Sequence, residues 1–104
     1  MAACGPGRGY IIRVDFTYVP EAIGADVVID GEPIDTLKML RRQLINGIQV
    51  SSGEHTLVIR SEHCVGDPLS VAPIRREKTV SVFVNLQERT VDGRFVCTFA
   101  LRRR

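Results

Sequence analysis

No run of apolar residues in this chain of 104 is longer than four. A membrane-crossing helix needs about 20, so a helical span is excluded. No Cys-x-x-Cys pair occurs among the three cysteines, Cys4, Cys64 and Cys97, which removes the zinc-ribbon and dense-disulfide classes. The Gly-x-Ser-x-Gly elbow of serine hydrolases is absent. Gly5, Gly7 and Gly9 crowd together, but no Lys-Ser/Thr pair follows them and no strand precedes them, so they do not form a phosphate-cradling loop. Charge of one sign is scarce as well: the net value is +2, too small to dictate a nucleic-acid partner.

What is present is ordinary globular composition, 44% apolar and 25% charged, which argues against disorder. The length suits one domain able to bury about 65% of its unfolded surface. Residues 1–9 read as a flexible leader and 10–102 as a single domain. From Tyr10 the pattern has period two: Tyr10, Ile12, Val14, Phe16 and Tyr18 alternate with Ile11, Arg13, Asp15, Thr17 and Val19. That is a strand buried on one face, ended by Pro20. Further strands are expected over Ala25–Asp30, Gly47–Val50, His55–Glu62, Leu69–Ile74, Thr79–Glu88 and Arg94–Leu101. Val80, Val82, Val84 and Leu86 should share one face, as should Phe95, Cys97, Phe99 and Leu101. Asp30-Gly31 and Asp92-Gly93 are turn dipeptides because both positions tolerate positive φ.

Residues 35–44 follow another rule. Ile34, Leu37 and Leu44 recur at helical spacing, Asp35 can cap the segment, and Asn46-Gly47 can stop it. The expectation is therefore an all-β, immunoglobulin-like or transthyretin-like sandwich of about seven strands with one short helix at about 35–44.

Candidate sites are few. His55, His63, Cys64 and Asp67 are the metal-capable group, but their spacing is not that of a zinc site; they read as exposed loop residues, with His55 at a strand start capping the end of a sheet. No Cys–His or Ser–His set is evident, so no catalytic, metal or cofactor residues are expected. Asp26, Asp30, Glu32 and Asp35 read as solvated turn acids. Positive charge gathers late: residues 1–52 carry −1 and residues 53–104 carry +3. Arg75, Arg76, Lys78, Arg102, Arg103 and Arg104 form a candidate anion-binding set, with Arg102–Arg104 read first as a frayed, solvated tail. Nucleic-acid binding is thus an alternative, and a small enzyme without a recognisable motif is another.

Val27-Val28-Ile29-Asp30-Gly31-Glu32-Pro33 and Gly47 to Ile59, with its Gly53-Glu54-His55 turn, resemble a PEGA-type domain over roughly residues 25–87. Lys78 to Leu86 is similar to that family's closing strand. The resemblance implies a small, non-catalytic β-sandwich of bacterial or archaeal envelope proteins, acting in structure or protein interaction. Gly31 and Gly53 would be turn positions, and Val27, Ile29, Leu57 and Ile59 inward residues. As written, the chain carries no export signal, which implies a cytoplasmic domain with free thiols, Cys97 being buried. Ala2-Ala3-Cys4-Gly5, however, is similar to the end of a bacterial lipoprotein cleavage box. With an apolar segment upstream, Cys4 would be lipidated, and Cys64 with Cys97 would form an even pair in an oxidising compartment. Weakly guarded strand edges add self-association as an expectation.

Overall fold

A computed structural model describes residues 9–16, 23–37, 45–74 and 78–103. The described chain is all-β, with nine strands: β1 (Tyr10–Phe16), β2 (Asp26–Ile29), β3 (Glu32–Thr36), β4 (Ile45–Val50), β5 (His55–Arg60), β6 (Cys64–Gly66), β7 (Leu69–Val71), β8 (Thr79–Val91) and β9 (Arg94–Arg103). They form two sheets, ordered β4-β1-β8-β9-β6 and β3-β2-β5-β7. Pairing is antiparallel except for β1 with β8 and β6 with β9, which run parallel.

Period-two patterning explains why the sheets face each other. Ile12 and Val14 of β1 and Val80, Val82 and Val84 of β8 are buried, and so are Val27, Ile29, Leu57, Ile59 and Val71 of the second sheet. Phe99 of β9 lies among them with no exposed surface. These side chains make one continuous core, the arrangement of a β-sandwich. Two tight hairpins set the registers. Asp30 and Gly31 have φ of 53° and 85°, and Asp92 and Gly93 have 52° and 78°. Positive φ at both central residues gives the turn whose twist matches right-twisted strands.

Several expectations are corrected. The start of the expected helix is not helical: Asp35 and Thr36 end β3, which pairs antiparallel with β2. The Asp35 carboxylate does accept from the Thr36 amide, at 2.8 Å, but inside a strand. Pairing with β2 overrides the local helical spacing there, and residues 38–44 lie outside the described residues. Asn46-Gly47 does not stop an element but sits within β4, opposite Val14 and Arg13. Cys64–Gly66, expected in a loop, is β6. Phe95 is not buried with the rest of its face: it is 84% exposed, opposite Thr90 in the β8–β9 hairpin. The reason is length. The pairing of β1 with β8 ends at Val84, and β6 meets β9 only at residues 97–99. Both strands run on past their described neighbours as a projecting two-stranded arm, exposed from Gln87 to Phe95.

Cys64 and Cys97 stand opposite each other in the parallel pairing of β6 and β9, with Cα atoms 4.6 Å apart, and form a disulfide. Cys64 is therefore a buried bonded residue rather than an exposed loop thiol, and Cys97 is not a free thiol. The bond closes a sequence separation of 33 residues, for which loop-closure entropy gives about 4 kcal/mol. Replacing both cysteines by alanine should lower the unfolding free energy by about 2–4 kcal/mol in urea titrations. Dithiothreitol should then shift the wild-type midpoint but not that of the double variant.

Gly66 packs where β6 passes over β5. A Cβ there would collide with the Ile59 carbonyl oxygen and lie 2.9 Å from its carbon. Backbone cannot give way as a side-chain tip can, so Gly66→Ala should destabilise by about 1–3 kcal/mol. A midpoint unchanged from wild type would contradict that packing.

Candidate functional site

The β2–β3 turn and the β4–β5 turn lie side by side because β2 and β5 are neighbours in one sheet. Asp30 leads the first turn, and its positive φ is supported from both sides. Its amide donates to the Thr56 carbonyl at 2.9 Å, and its Oδ1 accepts from the Thr56 amide at 2.9 Å. The second carboxylate oxygen, Oδ2, lies 2.6 Å from His55 Nδ1. On the other side of the imidazole, Nε2 is 2.8 Å from the Ser51 carbonyl oxygen and 3.3 Å from Ser51 Oγ.

The imidazole sits beneath Tyr10, with ring centroids 6.0 Å apart and tilted by 52°. Tyr10 is buried in the core, and its hydroxyl donates toward the Gly53 carbonyl at 2.8 Å, with the Val71 carbonyl at 3.2 Å. A cleft of about 360 Å³ opens beside this group. One wall comes from Ile48 and Val50 of β4, the other from Ile29 of β2 and Ile34 of β3, with Asp30, Glu32, Ser51 and His55 among the polar lining residues.

Electrostatics favour charge on both partners. The Thr56 amide and then His55 hold the Asp30 carboxyl below its ordinary 3.8. The Asp30 carboxylate, followed by the Ser51 carbonyl, raises His55 above 6.5 against the opposing effect of desolvation. Burial, chiefly, with the charge of Asp30 second, raises the Tyr10 hydroxyl above 10.0.

Ser51, His55 and Asp30 therefore stand in the order of a nucleophile, a base and an orienting carboxylate. The chemistry differs from a hydrolytic triad in one respect. Nε2 lies closer to a carbonyl, which only accepts, than to the hydroxyl. A charged imidazole satisfies the carboxylate and the carbonyl at once by donating from both nitrogens, which leaves no lone pair for general-base work.

The anion-binding set is not assembled into one patch by its described members. Arg102 and Arg103 lie in β9 opposite Phe83 and Val82, so they are not a frayed tail. The Arg102 guanidinium sits 5.5 Å from the Phe83 ring centroid, whereas Arg103 Nη1 donates to the Ala72 carbonyl. Alternation along β9 points the two to opposite faces. Lys78 is exposed, and its carbonyl accepts from the Ile11 amide at 2.9 Å. Arg75, Arg76, Arg104, Cys4 and the leader other than Gly9 lie outside the described residues.

His63 is exposed as expected, and among the described residues no group of three or more His, Cys, Asp or Glu side chains could hold a metal. Nor is any helix among them long and apolar enough to cross a membrane. The cluster at His55 was hidden because its members are 25 residues apart at Asp30–His55. The available signal was the pair of adjacent-strand turns, Asp30-Gly31 and Ser51–Glu54, with a histidine at the second.

No known family model matches the chain, and no curated protein or solved structure shows significant similarity to it.

The His55–Asp30 pair makes stability depend on pH with a definite sign. A histidine raised on folding contributes fully below its unfolded value, near 6.5, and loses that contribution as pH rises through its folded value. A lowered carboxyl contributes above 3.8 and loses its part as pH falls through the folded value. Urea midpoints of wild type and His55→Gln should therefore differ most between about pH 4 and 6.5 and converge above that range. A difference constant from pH 5 to 9 would show that folding does not raise the pKa of the imidazole.

Proposed function

We propose that this chain is a non-catalytic interaction or structural module, a β-sandwich of the immunoglobulin-like or transthyretin-like kind similar to PEGA-type domains, and that it works in an oxidising, envelope-type compartment. The observation that carries the reading is the double engagement of His55. The one described cluster with the side-chain order of a catalytic site has both imidazole nitrogens within 2.8 Å of acceptors, Asp30 and the Ser51 carbonyl. While it carries its proton it serves as a clasp between turns, with no lone pair turned to the Ser51 hydroxyl.

Two further features support the proposal. The Cys64–Cys97 disulfide fits secreted or envelope proteins, where disulfides persist, better than a reducing cytosol. The projecting β8–β9 arm presents Phe95, 84% exposed, as an aromatic side chain of the kind enriched in protein interfaces. The alternative of anion binding draws less support, since Arg102 rests on Phe83 and Arg103 is turned to a backbone carbonyl.

Two assays test the reading. A fluorophosphonate probe at pH 7 and pH 9, followed by intact-mass spectrometry, should leave Ser51 unlabelled. A stoichiometric Ser51 adduct that disappears in His55→Ala would make the chain a hydrolase candidate instead. Single-stranded RNA and DNA should show no binding at low salt. Affinity that falls steeply as salt rises would replace the proposal with nucleic-acid binding.

A further inference from the structure

The cleft beside His55 is built from two separate parts of the fold. One wall is β4 with Ser51, at the edge of the five-stranded sheet; the other is Ile29, Asp30, Glu32 and Ile34, from the four-stranded sheet. His55 touches both, through Asp30 on one side and Ser51 on the other. We propose that His55 is a proton-operated latch across this cleft: charged, it holds the Asp30 carboxylate and the Ser51 carbonyl together, and on losing a proton it lets go of the carbonyl and accepts a hydrogen bond from the Ser51 hydroxyl.

Local chemistry dictates which bond is lost. Nδ1 faces a carboxylate at 2.6 Å, the stronger acceptor, so it retains its proton. The proton leaves Nε2, and a lone pair then faces the Ser51 carbonyl oxygen at 2.8 Å, where two acceptors repel. Ser51 Oγ is 3.3 Å from the same nitrogen and carries a rotatable hydroxyl that can donate to it. Ser51 is exposed, so water can take up the released carbonyl. A short charge-assisted bond is exchanged for a longer neutral one, and the β4 wall is held less firmly.

The surrounding groups leave His55 as the one that changes. From β1, Tyr10 presents a ring whose hydroxyl stays protonated to above pH 10.0. From the β2–β3 turn, Asp30 stays ionised down to below pH 3.8, and Glu32 stands on the cleft rim. The β4–β5 turn adds Glu54, whose charge acts on Tyr10, as does that of Arg103 from β9. β7 contributes the apolar Val71 on the far side of the Tyr10 hydroxyl. This inference is independent of whether the cleft binds a partner, and its readout involves no binding or turnover.

Long-range proton–nitrogen NMR of the imidazole rings, on the full chain from pH 5 to 9, tests the latch. His55 should titrate with a midpoint above 6.5, with His63 as an exposed internal comparison. Above the midpoint the Nδ1-protonated tautomer should dominate. Backbone amides of residues 29–34 and 48–54 should shift with the same midpoint. Asp30→Asn should lower that midpoint. Ser51→Ala, which removes a donor to the neutral ring only, should raise it further. An Nε2-protonated neutral ring, or cleft amides that do not move as His55 titrates, would overturn the proposal.

Discussion

The structure depends on β8. Among the described strands it is the longest, paired with β1 in parallel and with β9 in antiparallel, and its Val80, Val82 and Val84 form the floor of the shared core. Parallel pairing of β1 with β8 brings together residues nearly 70 positions apart in the sequence. The non-local character of that contact costs loop-closure entropy, which burial of β-branched side chains on both sheets has to exceed. The hairpins at Asp30-Gly31 and Asp92-Gly93 reduce the search because each fixes a register locally.

Alternation made most of this legible. The inward positions of β1, β2, β5 and β8 follow directly from period two, and the buried Val27, Ile29, Leu57 and Ile59 match that pattern. What escaped has identifiable causes. β3 contains Pro33, two acids and a bulge where β2 shifts register, features that read as a turn or a helix start. β6 has three residues, too short to show any period. Phe95 obeys the alternation of β9 but lies beyond the end of the core, because a pattern gives the face of a strand and not how far its neighbours extend.

The candidate site was less visible for a related reason. Asp30 and Ser51 looked like ordinary turn residues and lie in turns, and His55 opens β5. Their meeting depends on β2 and β5 being adjacent, with Ile29 opposite Leu57, a fact of pairing that composition does not carry. Likewise the disulfide needed the parallel register of β6 on β9 to put Cys64 opposite Cys97. In both cases the residue types were suggestive, and only topology supplied the distance.

The arm formed by the ends of β8 and β9 has a mechanical consequence. Its strands are unbroken continuations of core strands, 13 and 10 residues long, so it has no hinge loop at its root. The Cys64–Cys97 bond ties that root sideways to β6. A push on Phe95 is therefore delivered along paired backbone into the valine floor and across sulfur into a third strand. The tip behaves as the end of a stiff lever, and whatever it touches is coupled to the centre of the fold.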